Sequence, residues 1–153
     1  ADCTDVRVRE GKIVFSRPAR GGNTVADIEC TRSPVMATLR TGKKTGGLVA
    51  DVGFGALGCL DKIRKWCETQ NGMLMASRAA VDHGKLPYAI QIGLTGRAVA
   101  PDTLVVFGVS GAVQHTCAVE GAGTIIAVNP DKNARIFDYA DYGFVARAEE
   151  IQL

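Results

Sequence analysis

Residues 104–115 read LVVFGVSGAVQH, an apolar run that breaks at a Ser-Gly turn and continues into an amide and an imidazole. An apolar run that stops at such a turn is typical of a buried strand leading into a helix. Free N–H groups at the start of that helix can face an anionic phosphate. The same turn also suits packing alone, so the rest of the chain must decide between the two interpretations.

The segments around this turn repeat the same pattern. Apolar runs at 48–52, 73–76, 104–107 and 124–128 alternate with stretches of helical character, at about 59–71 and 112–119. Strands that are apolar throughout, with helices between them, predict a parallel sheet that is covered on both faces. In such sheets, ligands bind beyond the carboxyl ends of the strands.

The first 46 residues have a different pattern. Runs at 12–16, 24–30 and 35–40 are separated by Gly21-Gly22-Asn23 and Ser33-Pro34, which predicts antiparallel strands with tight turns. Residues 40–47 are polar and glycine-rich, as a linker would be. We therefore expect a β-rich segment over residues 1–46 and an α/β domain over residues 47–153.

The composition argues against several classes of protein. With 46% hydrophobic and 22% charged residues among 153, the chain has the balance of a globular protein with one sizeable core. A net charge of +2 is too small to indicate nucleic acid or a membrane surface as partner. No run approaches the roughly 20 apolar residues that span a bilayer, and the first ten residues do not resemble a signal peptide. Five scattered cysteines without a CxxC pair predict reduced thiols rather than a zinc site.

Small or polar residues follow four of the predicted strands. They are Gly53-Phe54-Gly55, Ser77-Arg78, Ser110-Gly111 and Asn129. Because parallel strands end at the same edge of a sheet, these residues should meet there. Arg78 directly follows a buried strand, so we expect its charge to need a partner.

Four blocks, in order and with matching spacing, carry a resemblance to a known family. They are 77–82 (SRAAVD), 91–96 (QIGLTG), 108–115 (GVSGAVQH), and Asn129 with 140–143 (ADYG). Together they closely resemble the alpha subunit of electron transfer flavoprotein over residues 47–153. Residues 16–18, 21–23 and 36–40 resemble the closing strands of that subunit's first domain more weakly.

The resemblance implies an α/β fold: a parallel-sheet, Rossmann-like (deoxyhypusine-synthase-like) FAD-binding domain, preceded by a short antiparallel β segment. The residues that it implies for cofactor binding are Ser77, Arg78, Gln91, Ile92, Gly93, Leu94, Thr95, Gly108, Ser110, Gly111, Ala112, Val113, Gln114, His115, Asn129 and Asp141.

Individual roles follow from the same resemblance. Residues 110–115 would hold the pyrophosphate and ribityl chain, with His115 at the pyrimidine side of the flavin ring. Arg78 would lie over the ring, Thr95 near its N5 and Ser77 at the phosphates, while 92–95 would line the ring and Asn129 the adenosine end. A guanidinium and an imidazole beside the ring would stabilise the negative charge that reduction places there. Taken alone, His115 and Thr95 also fit structural roles.

Three residues depart from the family pattern. Phe54 lies between glycines where an arginine is usual, so a phosphate-facing cation is missing. Leu94 stands where a glutamine is common, and Arg147 where an acidic residue is common. The chain is also about half the family's usual length, as a fragment, a processed chain or a shortened relative would be.

The resemblance implies an electron carrier rather than an enzyme. With a beta subunit it would shuttle electrons from acyl-CoA or other flavin dehydrogenases to a downstream acceptor, in the cytoplasm or the mitochondrial matrix. One alternative is a nicotinamide-nucleotide-binding oxidoreductase domain, which the sequence disfavours because we expect neither a G-x-G-x-x-G motif nor an acidic residue at the distance that such a motif requires. Another is a structural relative that has lost its cofactor, an interpretation that Phe54 favours.

Overall fold

The computed structural model describes residue 3 and residues 5–19, 24–31, 33–38 and 45–153. The chain divides into two units, Ala1–Thr41 and Gly42–Leu153. The predicted domain boundary between residues 46 and 47 stays a prediction.

The first unit contains a three-stranded antiparallel sheet. Strand β2 (Lys12–Ala19) lies between β1 (Asp5–Arg9) and β3 (Thr24–Glu29). Arg9 pairs with Lys12, so a two-residue turn joins β1 to β2. The predicted strands at 12–16 and 24–30 are confirmed, whereas β1 was missed although its sequence, DVRVR, alternates as a strand does.

The strand predicted at 35–40 is wrong over residues 35–38, which lie in no strand. Residues 39–40 and the turn predicted at 21–23 lie outside the described residues. Thr38 O accepts a backbone hydrogen bond from Cys3 N at 2.8 Å. Both edges of the central strand β2 are already taken by β1 and β3, so the segment cannot pair with it.

The second unit is an α/β structure built on a six-stranded parallel sheet, which confirms the predicted fold class. Its strands are β4 (Leu48–Val52), β5 (Met73–Ser77), β6 (Gln91–Ile92), β7 (Thr103–Phe107), β8 (Thr124–Asn129) and β9 (Tyr142–Val145), in the order β6-β5-β4-β7-β8-β9. The connections contain α1 (Leu60–Thr69), α2 (Arg78–Asp82) and α3 (Val113–Thr116), with short 3₁₀ helices at Phe54–Cys59, Tyr88–Ile90, Arg135–Asp138 and Ala148–Glu150. Strands β6 and β9, at the two edges, were not predicted.

Each face of this sheet packs against its own layer of apolar side chains. Val52 of β4 belongs to one layer together with Ile63 of α1. Val49 of the same strand belongs to the other layer together with Leu104 of β7. All four side chains are almost fully buried. Because both faces are covered, successive side chains of a central strand are apolar, as the sequence predicted.

The helix predicted at 112–119 is shorter than expected. Regular α-helix covers only Val113–Thr116. Ala118 O accepts a hydrogen bond from Val99 N at 2.8 Å, and Val119 N donates to Thr116 O, three residues back. These contacts turn the chain towards β8 and end the helix early.

The chain reverses direction across the sheet between β4 and β7. It runs from β4 outwards to β5 and β6, then returns to the other side of β4 with β7. At this point Gly53 N donates to Phe107 O at 2.7 Å. A Cβ atom on Gly53 would lie only 2.1 Å from Gly108 O, so the two loops touch through bare backbone.

Gly53→Ala should therefore destabilise the protein by about 2–3 kcal/mol, because the new methyl group overpacks rigid backbone. Gly55→Ala is the matched control, since a Cβ there would meet its nearest atom, Gly108 O, at 3.4 Å, an ordinary contact. Urea unfolding of both variants and the wild type measures the difference. Equal stability of the two variants would show that the loops can separate without cost.

Candidate functional site

A cleft of about 770 Å³ opens at the carboxyl ends of β4, β5, β6 and β7. This volume lies within the range of about 300–1,000 Å³ that is usual for small-molecule sites. Twelve of the sixteen residues predicted for the cofactor line it: Ser77, Arg78, Gln91, Ile92, Gly93, Leu94, Thr95, Gly108, Ser110, Ala112, Gln114 and His115. The fold thus brings three separate predicted blocks to one cavity.

The other four predicted residues lie outside the lining of the cleft. Gly111 sits against the backbone of Ile136, and Val113 opens α3. Asn129 Nδ2 donates to Val109 O at 2.8 Å, behind the loop that does line the cleft. Asp141 Oδ2 accepts from Ile125 N at 2.8 Å and so fixes the start of β9. Their roles towards a cofactor stay predictions.

The loop after β7 presents backbone donors. The N–H groups of His115 and Thr116 both donate to Ala112 O, at 2.8 and 3.0 Å. Within residues 45–153, the N–H groups of the five preceding residues, 110–114, have no hydrogen-bond partner. Successive unpaired N–H groups in a turn form a site that suits an anion such as phosphate.

The loop after β6 is held by polar contacts at both of its ends. Gln91, which is almost fully buried, donates from Nε2 to Thr95 Oγ1 at 3.0 Å. A hydroxyl that accepts this bond keeps its own proton for another acceptor. Leu94 N donates to Gln114 O at 2.7 Å and ties this loop to the one that follows β7. Thr95 is thereby placed in the cleft with a donor to spare.

Arg78 is more exposed than its position after a buried strand predicts. Its side chain is 68% exposed, and its Nε lies 3.3 Å from Asp82 Oδ2, one turn later in α2. The expected partner is therefore present, but the reason given for it was wrong, because no buried charge has to be neutralised. An exposed pair of this kind contributes little to stability, so Arg78 can change partner at low cost.

A buried ion pair lies behind the cleft. Asp51, the next-to-last residue of β4, is fully buried, and its Oδ2 lies 2.6 Å from Nε2 of His115. The His115 side chain is 8% exposed and lines the cleft. Asp51 Oδ1 and His115 Nδ1 are both buried without a hydrogen-bond partner among the described residues. An unpaired buried polar atom costs free energy, and a ligand that supplies its partner recovers that cost.

Two opposing effects set the pKa of His115. Burial disfavours the charged ring and is the largest single influence, which lowers the pKa. The charge of Asp51, its hydrogen bond and the backbone of Ile92 act in the other direction and together outweigh burial. The pKa of His115 is therefore raised above its ordinary value of 6.5.

Asp51 was missed from the sequence, although a lone carboxylate inside the apolar run LVADV was a usable signal. The expected absence of a G-x-G-x-x-G motif was wrong, because residues 53–58, GFGALG, match this pattern of dinucleotide-binding turns. In the structure Gly53 and Gly55 face the Gly108 backbone, while Gly58 faces Glu149. Of these three glycines, Gly53 is the one that close packing against backbone requires, while Phe54 lines the cleft.

Sequence comparisons identify the family. Residues 48–120 match the electron transfer flavoprotein FAD-binding domain, and residues 1–44 match the electron transfer flavoprotein domain. The chain belongs to the electron transfer flavoprotein alpha-subunit family. An alpha subunit from Thermoanaerobacterium thermosaccharolyticum is 31% identical, over 95% of this chain and 58% of its own length.

Two further relatives agree with this family. Protein FixB from Rhizobium meliloti is 33% identical over 97% of this chain and 56% of its own length. The mitochondrial alpha subunit from Arabidopsis thaliana is 46% identical over 58% of this chain and 24% of its own length. The chain spans somewhat more than half the length of the bacterial relatives.

The residues of the cleft fit FAD, the cofactor of the matched domain. A diphosphate needs hydrogen-bond donors, and the lining residues Ser110, Ala112 and Gln114 have unpaired backbone N–H groups. A flavin ring needs an apolar wall with a few polar groups, and the cleft has the side chains of Phe54 and Leu94 beside those of Thr95 and His115.

None of the five cysteines, all within the described ranges, forms a disulfide.

The free energy of unfolding should depend on pH through His115. Because the pKa of His115 is higher in the folded than in the unfolded chain, the stabilisation is fully present below about pH 6.5 and is lost as the pH rises through the folded value. His115→Ala should remove this dependence. It should also cost about 3 kcal/mol at low pH, because Asp51 then loses its buried partner.

Urea unfolding at pH values between about 6 and 9 measures this effect. His83→Ala is the matched control, because that histidine lies exposed at the end of α2 and does not contact Asp51. If His115→Ala keeps the wild-type slope of stability against pH, the buried pair does not set it.

Proposed function

We propose that this chain binds FAD in the cleft and carries electrons, together with a beta subunit, from flavin dehydrogenases to a downstream acceptor. The observation that carries the proposal is the convergence of the loops after β5, β6 and β7 on one cleft inside a matched FAD-binding domain. On this proposal the protein is an electron carrier and not an enzyme. FAD, when bound, supplies the electron-accepting ring.

Each loop of the cleft has its own task in this proposal. The unpaired N–H groups of residues 110–114 hold the pyrophosphate, and Ser77, whose Oγ caps α2 through Ala80 N, lies at the phosphates. The 91–95 segment lines the ring, and the spare hydroxyl proton of Thr95 donates to it. Asn129 belongs to the adenosine end.

Two cations stabilise the negative charge that reduction places on the ring. Arg78 is exposed and held only by Asp82, so it can turn over the ring when the cofactor is present. His115 is buried and held by Asp51, so it is already in place. Fixed and mobile positive charge near a ring favours its reduced state over its neutral oxidised state.

Both matched families are electron transfer flavoprotein domains, which favours the carrier over the nicotinamide-dependent oxidoreductase. Among the described residues, no helix is long and apolar enough to cross a membrane. We propose a location in the cytoplasm, or in the mitochondrial matrix in a eukaryote; the relative from Arabidopsis thaliana is a mitochondrial protein.

Co-expression with a beta subunit, followed by size-exclusion chromatography with a visible spectrum of each peak, tests the proposal. We expect a 1:1 complex that carries FAD in near-stoichiometric amount. Exposed apolar side chains on the edge strand β9, at Tyr142, Phe144 and Val145, support the need for a partner. A colourless protein that also fails to bind added FAD would contradict the cofactor, and a flavin-bound chain that elutes apart from the beta subunit would contradict the partner.

Arg78→Ala should lower the first reduction potential of bound FAD by about 65 mV. This figure corresponds to about 1.5 kcal/mol for a one-electron couple, the low end for an interaction with a charged group, because Arg78 is 68% exposed. Arg97→Ala is the control, since Arg97 also follows the cleft loops in sequence but does not line the cavity. Potentiometric titration measures both variants, and an unchanged potential in Arg78→Ala would place the ring away from this residue.

A further inference from the structure

The Asp51–His115 pair makes one hydrogen bond and leaves two polar atoms without a hydrogen-bond partner among the described residues. Oδ2 of Asp51 and Nε2 of His115 are 2.6 Å apart, while Oδ1 and Nδ1 are buried without a partner among the described residues. Asp51 does not line the cleft, whereas His115 does. The carboxylate therefore lies behind the imidazole, and only the imidazole can reach a ligand.

The short contact decides which ring nitrogen carries a proton. A carboxylate only accepts hydrogen bonds, so Nε2 must donate to Asp51. Nδ1 then carries no proton in the neutral ring, whereas in the cation it is protonated and can donate a hydrogen bond. The charge of Asp51 favours the cation, in which Nδ1 is a buried donor with no acceptor in good hydrogen-bond geometry among the described residues. The Ile92 backbone acts on the ring as a weaker acceptor, which also raises the pKa of His115.

We propose that Asp51 is a positioning residue for the cofactor: it holds the His115 ring through Nε2 and keeps Nδ1–H as the donor to an acceptor atom of the bound flavin. The inference rests on the proposed function, because it needs FAD in the cleft. Asp51 touches no cofactor itself and acts only through His115.

The other charges around the cleft do not take over this task. Arg78 and Asp82, both from α2, pair with each other at 3.3 Å and are more than half exposed. From β6, the backbone of Ile92 acts on the ring, and it adds no charge. Asp51 from β4 is the charged group that contacts His115 in the described part of the chain.

Asp51→Asn separates charge from shape. An amide oxygen can still accept from Nε2 and hold the ring, but it does not stabilise the imidazolium. Asp61→Asn, on the exposed face of α1, is the matched control because it removes the same charge away from the cleft. A purely structural role of Asp51 would leave the affinity for FAD unchanged in Asp51→Asn, because the amide still holds the ring.

Nitrogen-15 NMR of the two histidine rings in the full chain, without FAD, is the first measurement. We expect His115 to titrate at a lower pH in Asp51→Asn than in the wild type, and its neutral form in the wild type to carry the proton on Nε2. His83, which packs edge-on against Phe54, is the internal reference. A proton on Nδ1 in the neutral wild type, or an unchanged titration of His115 in the variant, overturns the inference.

Titration with FAD is the second measurement. At about pH 8 we expect Asp51→Asn to bind FAD about tenfold more weakly than the wild type, as the loss of a charged donor implies. The loss should shrink towards about pH 6, because acid restores the imidazolium. In the wild type, FAD should shift the Nδ1 signal and leave Nε2 bonded to Asp51, a result that does not depend on the folding of any variant.

The two proposals fail in different ways. Equal affinity of the wild type and Asp51→Asn for FAD at both pH values overturns the role of Asp51 and leaves the proposed function standing. Failure of the wild type to bind FAD overturns both. Weakening by Asp61→Asn to the same degree would assign the effect to net charge and would also overturn the inference.

Discussion

The hydrogen bond from Gly53 N to Phe107 O, 2.7 Å long, joins the ends of β4 and β7 at the centre of the parallel sheet. The chain runs away from β4 in opposite directions on the two sides of this contact, so the loops that follow must diverge. A space between diverging loops is where ligands of such sheets bind. The contact requires glycine, because a Cβ atom on Gly53 would overlap the carbonyl of Gly108. The position of the cleft thus follows from a close approach of two backbones.

The two basic side chains of the cleft, those of Arg78 and His115, differ in their exposure to solvent. Arg78 is 68% exposed and its pair with Asp82 is weak, so the guanidinium is adaptable. His115 is 8% exposed and its carboxylate partner is fully buried, so the imidazole is fixed. A buried pair is costly to assemble and strongly destabilising when only one partner is removed. Asp51 and His115 therefore depend on each other, because removal of either one leaves the other buried without its partner.

The wall of the cleft is more apolar than the family resemblance implies. Phe54 and Leu94, 57% and 48% exposed, line it where an arginine and a glutamine were expected. Phe54 rests edge-on against His83, with 5.2 Å between the ring centroids. Because an arginine is absent at position 54, the proposed function assigns phosphate recognition to backbone N–H groups of the loop after β7, and it leaves Arg78 as the cation of the cleft wall.

The local pattern of apolar and polar residues in the sequence was enough to predict much of this fold. Strand β4 was predicted to the residue, and β7 and β8 to within one, because each is an apolar run bounded by glycine or polar residues. The edge strands β6 and β9 carry no such pattern, since only pairing with a neighbour makes them strands. The ordered motifs likewise determined which loops line the cleft. Only the tertiary structure could show that Asp51 contacts His115, which lies 64 residues away in the sequence. The sequence shows a buried charge as a single polar residue in an apolar run. Its partner depends on the order of the strands and on the direction of the side chains.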